Sequence, residues 1–186
     1  MKQNESIVMY VLRLAGTLLL ICAVTAGLLA GVNAITAPII AELNAAATQE
    51  AISAVLPGGF DSEITDYADA SGIVSKVYQG EAGYALEVGP GGFDNTITMM
   101  VGIDNEGKVL GISIVNHTET AGLGAVADAD TPKGIAFREQ FIGTSGSVSV
   151  TKDGGTLDAI TGATITSRAI CAGVNAALDC VAGLLG

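Results

Sequence analysis

The sequence is short of positive charge. Eight Lys and Arg residues stand against 19 Asp and Glu, leaving a net charge of −11 and a pI near 4.2. That shortage excludes a nucleic-acid-binding role, which needs a basic footprint. It also argues against a domain lying flat on anionic lipid headgroups; a plain reading of the acidity is solubility. Cysteine is scarce too, with three in 186 residues, no Cys-x-x-Cys pair and a single histidine. No metal centre, zinc or iron–sulfur, is therefore expected. Cys171 and Cys180 fall in one expected helix. At ~1.5 Å rise per residue they would sit roughly 13 Å apart on opposite faces, too far for a disulfide. They and Cys22 read as small buried hydrophobes. Internal repeats and low-complexity tracts are missing. No base stands beside a nucleophile, so no catalytic residue is assigned and no independent substrate turnover is expected.

Charge is absent altogether from Leu14 to Ala41. A bilayer core of about 30 Å needs about 20 apolar helical residues, and this run supplies them. Lys2, Arg13 and the α-amino group precede it, against Glu5 alone. Glu42 and Glu50 follow it, with no Lys or Arg until Lys76. The positive-inside rule places the N-terminus in the cytoplasm and everything after the span outside. The expected organisation is a cytoplasmic tail (1–13), a transmembrane helix (14–37), a juxtamembrane helix and linker (38–72) and an extracytoplasmic domain (73–186). A cleaved signal peptide is the competing reading, but the apolar core is longer than such segments carry and Ile21 before Cys22 does not suit a lipoprotein box.

Pro38 suits the first turn of a second helix, whose apolar positions run from Ile40 to Val55 at helical spacing. Pro57-Gly58-Gly59 would end it. The acidic, turn-rich stretch 60–72 reads as linker. Strand patterns follow in IVSKVYQ, YALEV, TITMMVGI, VLGISIV and SVSVT, with Asn105-Glu106-Gly107 as a hairpin turn. A short helix is expected between Thr131 and Gly143. A last one runs from about Ser167 to Leu184, striped by Ile170, Val174, Ala177, Leu178, Val181 and Leu185. The expected fold class is α+β: a single N-terminal transmembrane helix, then a twisted antiparallel sheet with packed helices.

Three segments carry candidate chemistry. Asp158-Ala159-Ile160-Thr161-Gly162-Ala163-Thr164-Ile165-Thr166-Ser167 gathers hydroxyls and small residues just before the last helix. Free N–H groups and the dipole at such an end favour a phosphate, and Gly162 and Ala163 would let a ligand approach the backbone. The same residues also suit a simple N-cap at Thr166 or Ser167. His117-Thr118-Glu119-Thr120-Ala121-Gly122-Leu123-Gly124 follows a strand and could be only a turn. Gly89-Pro90-Gly91-Gly92-Phe93 could cradle a phosphate or merely join two strands.

In this order the three segments resemble the FMN-binding domains of the Rnf and Nqr ion-pumping respiratory complexes. DAITGAT matches their flavinylation motif, Asp-x-x-(Ser/Thr)-Gly-Ala-Thr. HTETAGLG is similar to a flavin-contacting loop that usually ends Glu-Thr-Pro-Gly-Leu-Gly, with Ala121 where proline is usual. GPGGF and the hairpin VGIDNEGKVLGI are also similar. The resemblance covers nearly the whole chain, and the compact length is closer to the G subunit of Rnf than to the C subunit of Nqr.

The resemblance implies one covalent FMN, its phosphate esterified to the Thr164 hydroxyl. Asp158, Thr161, Gly162 and Ala163 would complete the sequence read by a flavin transferase that uses FAD and Mg²⁺, with Thr166 and Ser167 beside it. His117, Glu119, Thr120, Leu123 and Gly124 would approach the flavin ring. It further implies an electron-transfer component of a cell-membrane complex with partners of the Rnf A, B, C, D and E types. That complex would couple ferredoxin:NAD oxidoreduction to Na⁺ or H⁺ translocation. Two other readings share the outline: an FMN-tethered domain of another extracytoplasmic reductase, and a pilin-like structural protein. The second is disfavoured because Glu5 lies outside the apolar run and Arg13 interrupts the approach to it.

Overall fold

A computed structural model describes residues 2–185, with side chains from Val8 onward. Met1, whose α-amino group belongs to the basic flank, and the side chains of Lys2 and Glu5 lie outside the described residues. The chain divides into two units, 1–46 and 47–186.

The first unit is a single stretch of helix. It forms most of α1 (Lys2–Val55), which continues through Pro38 where a break was expected. Proline removes one helical hydrogen bond, but Ala34, Ala37 and Ala41 favour helix on either side of it. Leu18, Leu19, Leu28 and Leu29 are all more than 60% exposed on this unit. The helix is long and apolar enough to cross a membrane.

The second unit is a five-stranded antiparallel meander with helices on both faces. The strands are β1 (Ser62–Ile64), β2 (Val74–Gly80), β3 (Gly83–Val88), β4 (Thr98–Asp104) and β5 (Val109–Asn116), ordered as in the chain. The helices are α2 (Pro132–Glu139) and α3 (Thr164–Leu185). Strand alternation divides the sheet. Val77, Leu86, Val101 and Ile112 are successive cross-strand partners and join the larger core with Ile170, Val174 and Val181 of α3. Burying each such side chain stabilises the fold by about 1.5–3 kcal/mol. Tyr78, Ala85, Gly102 and Gly111 form the next row, and residues 51–56 lie over it. A Cβ at Gly102 would collide with the carbonyl of Val55, so the lack of a side chain there lets the end of α1 dock.

Four further expectations change. The acidic linker contains β1, whose three residues pair with β2 although none is fully buried; an exposed edge strand needs no apolar alternation. SVSVT is not a strand, apart from an isolated bridge between Val150 and Leu157. The side-chain amide of Asn175 on α3 instead satisfies Val148, accepting from its N–H at 2.7 Å and donating to its carbonyl at 2.9 Å. Leu185, assigned to the apolar stripe, is 47% exposed, because the last turn of α3 outruns the sheet. Cys171 and Cys180 are free and buried, and burial pushes the Cys171 thiol up to about 11. Cys22, expected to be buried, is instead exposed on the helix of the first unit, which within itself is a single helix with nothing to pack against.

Candidate functional site

The site is built at the start of α3. Gly162 turns the chain into the helix with φ of +80°, a conformation glycine adopts without strain. That is a backbone reason for the glycine, beside the open approach expected of it. Ala163 N–H donates to the Ile160 carbonyl, and the first helical bond runs from Ser167 N–H to the Ala163 carbonyl at 3.0 Å. Thr164, Ile165 and Thr166 are therefore the first three residues of the helix. Their N–H groups have no acceptor among the described residues, as helix geometry dictates. Neither Thr166 nor Ser167 is an N-cap. Ser167 is fully buried; its hydroxyl accepts from Ile160 N–H at 3.0 Å and donates to the Ala163 carbonyl. It locks the turn from below.

A cleft of about 270 Å³ opens in front of these groups, lined by Phe93, Glu119, Thr120, Leu123, Gly124, Lys152 and residues 162–166. The three segments singled out in the sequence thus meet at one place. Their junction is Glu119, a carboxylate only 8% exposed. One oxygen accepts from Phe93 N–H at 2.7 Å and the other from the Thr166 hydroxyl at 2.5 Å. A Cβ at Gly92 or at Gly124 would strike this carboxylate, so both glycines are needed for the loops to close around it.

His117 does not line the cleft. Its Nδ1 accepts from Glu119 N–H at 3.2 Å, and its Nε2 lies 3.7 Å from Asp128, so it shapes the loop from outside. Asp158 and Thr161 face elsewhere as well. They line a neighbouring depression of about 550 Å³ with Gly122, Lys133, Phe137 and Gln140. Gln140 clamps the backbone of Asp158, accepting from its N–H at 2.7 Å and donating to its carbonyl at 3.3 Å.

Sequence reasoning missed Lys152. It lies in a short 3₁₀ turn, Thr151–Asp153, and its Nζ donates to Thr164 Oγ1 at 3.2 Å. The turn is pinned to α3 by Asp153 and Arg168, paired through two hydrogen bonds of 2.6 and 2.7 Å. The Arg168 hydrogen bond holds the Asp153 carboxyl below its ordinary range. A lysine in so acidic a chain was the available signal. Phe93 is also outside the expected site residues, although it closes one of the three candidate segments. Phe93, Leu123 and Ile165 give the cleft an exposed apolar rim.

This donor set suits a phosphate tail at one end, with unpaired N–H groups, a hydroxyl and an ammonium. The apolar rim suits a flat ring at the other. No group of three or more potential metal ligands is found among the described residues.

Fold and site together define an FMN-binding domain carried by a membrane protein. A family model of the FMN-binding domain matches residues 92–179, and one of the RnfG N-terminal region matches residues 1–55. The G subunit of the ion-translocating oxidoreductase complex of Methanosarcina acetivorans is 32% identical over 181 residues, covering 91% of this chain and 94% of that protein. The G subunit of the Na(+)-translocating ferredoxin:NAD(+) oxidoreductase complex of Acetobacterium woodii is 33% identical over 146 residues, 67% of this chain and 69% of that one. In Vibrio parahaemolyticus the G subunit of an ion-translocating oxidoreductase complex is 40% identical over 86 residues, 45% of this chain and 41% of that one. The chain belongs to the family of G subunits of Rnf-type ion-translocating oxidoreductases.

Proposed function

We propose that Thr164 Oγ1 carries one FMN through a phosphoester, and that the chain relays electrons on the outer side of a membrane. The complex would couple ferredoxin:NAD oxidoreduction to Na⁺ or H⁺ translocation, with neighbours of the Rnf A, B, C, D and E types. The observation that carries the reading is the position of Thr164. Its hydroxyl stands in the first turn of α3, on the cleft wall, beside Lys152 Nζ and unpaired helix N–H groups. When bound, FMN supplies reversible electron transfer. Around it Thr164 tethers the tail, the α3 N-terminus offsets its charge, and Glu119 holds the two loops that flank the cleft. A tether at the phosphate leaves the redox-active ring chemically unaltered. It also keeps a cofactor exposed to the medium from being lost.

Maturation would require a flavin transferase acting with FAD and Mg²⁺. Expressed with one, the chain should exceed its sequence mass by one esterified FMN and fluoresce as a flavin on a denaturing gel. Thr164→Val should abolish that band while the protein still folds and inserts. A band that persists, or that moves instead with Thr161 or Thr166, sinks the assignment. The orientation rests on Arg13 before the apolar run and the acidic residues after it. An alkaline phosphatase fused after residue 60 should be active; activity of a cytoplasmic reporter there, and not of the phosphatase, would reverse the topology.

A further inference from the structure

Six Lys and Arg residues follow Arg13: Lys76, Lys108, Lys133, Arg138, Lys152 and Arg168. Four of them are engaged in ion pairs, with Glu87, Glu106, Asp130 and Asp153. Lys133 lies at the neighbouring depression. Lys152 is the cation at the cleft, and its hydrogen-bond partner is an uncharged hydroxyl, Thr164 Oγ1 at 3.2 Å. Its neighbour Asp153 is already bonded twice to Arg168, one helical turn beyond Thr164. The Asp153–Arg168 pair therefore fixes the turn on α3 and leaves the ammonium directed at the hydroxyl.

We infer that Lys152 prepares Thr164 for phosphoryl transfer and then holds the attached phosphate. The inference rests on the assignment of Thr164 as the attachment point. In the transfer, Thr164 Oγ1 forms a bond to the flavin-side phosphorus of FAD. The phosphoanhydride bond breaks, AMP leaves with the electron pair, and the hydroxyl proton passes through the transferase to solvent. Because Lys152 donates to Oγ1, the hydroxyl's own proton points away from it, free for removal. A fixed ammonium beside Oγ1 stabilises the negative charge that builds on the oxygen and on the incoming phosphoryl group. After transfer the product phosphodiester keeps one negative charge, and the same ammonium faces it. Lysine acts here as a point charge, which arginine can replace in part.

The test uses the full chain, purified in detergent without flavin from cells that lack a transferase. FAD, Mg²⁺ and the transferase are then added, and the fluorescent band is followed in time. Lys152→Met should slow the initial rate by about 10- to 100-fold, the effect of one charge-assisted contact on a transition state. Lys152→Arg should recover at least half of the wild-type rate. Melting temperatures of both variants should match wild type, because the side chain is exposed. Lys152→Met labelling at the wild-type rate overturns the inference while leaving Thr164 as the attachment point. So does Lys152→Arg labelling as slowly as Lys152→Met. Wild-type chain that takes up no flavin, or Thr164→Val that labels normally, would instead remove the assignment beneath it.

Discussion

The Glu119 carboxylate and the Thr166 hydroxyl meet at 2.5 Å, although 47 residues separate them in the chain. Thr166 is 2% exposed and Glu119 8%. The bond joins the loop after β5 to the first turn of α3, and the other Glu119 oxygen ties in Phe93 on the loop before β4. Three segments that each look like an ordinary turn are made into one cleft by this carboxylate.

Thr166→Val removes the donor and leaves a buried carboxylate oxygen unpaired. The expected loss of stability is about 1–3 kcal/mol. Denaturant unfolding of the detergent-solubilised chain measures it. A midpoint equal to wild type would show that water replaces the hydroxyl at no cost.

Gly124→Ala tests the same junction by crowding. The added Cβ would strike the Glu119 carboxylate and lie 2.6 Å from Thr166 Oγ1. We expect a destabilisation of roughly 1–3 kcal/mol, typical of overpacking, and lower flavin loading. Gly107→Ala makes a useful contrast. Its positive φ of +80° imposes backbone strain, but no atom lies near its Cβ and the turn is far from the cleft, so loading should stay at the wild-type level.

Asp153 titrates in a defined direction. The Arg168 hydrogen bond holds its carboxyl below the ordinary carboxylate range, so the unfolded chain takes up this proton first as pH falls. The pair's contribution is fully present above the unfolded value of about 3.9 and is lost as pH drops through the lower folded value. Asp153→Asn should therefore unfold at lower denaturant than wild type at neutral pH. The difference should shrink below about pH 4. A difference independent of pH would assign the effect to packing of the turn.

Thr120 lines the cleft from the loop after β5, a different segment from the one that carries Thr164, the proposed attachment point. Thr120→Val should keep the covalent flavin and shift its absorbance spectrum or reduction potential. Complete loss of flavin from a folded Thr120→Val protein would show that this loop also governs attachment.

Read alone, the sequence determined what depends on neighbours along the chain. The charge-free run from Leu14 to Ala41 makes a helix that suits hydrocarbon, because length and apolarity are local properties. Alternation in YALEV and VLGISIV yields strands, and the order of the Gly-rich, HTETAGLG and DAITGAT segments marks the flavin family. Tertiary structure decided whatever depends on a distant partner. SVSVT has the composition of a strand but stays irregular, because Asn175 satisfies the backbone of Val148 in place of a neighbouring strand. SEI has no strand pattern, yet it pairs because the edge of β2 is open to it. The DAITGAT run looks like one site in sequence, but the turn at Gly162 sends Asp158 and Thr161 to one depression and Thr164 to the other. Lys152 reaches Thr164 across 12 positions only because Asp153 and Arg168 fold the intervening loop back onto α3. A hydrogen bond of that kind depends on where two backbones are brought in space, and the spacing of residue types along the chain does not encode it.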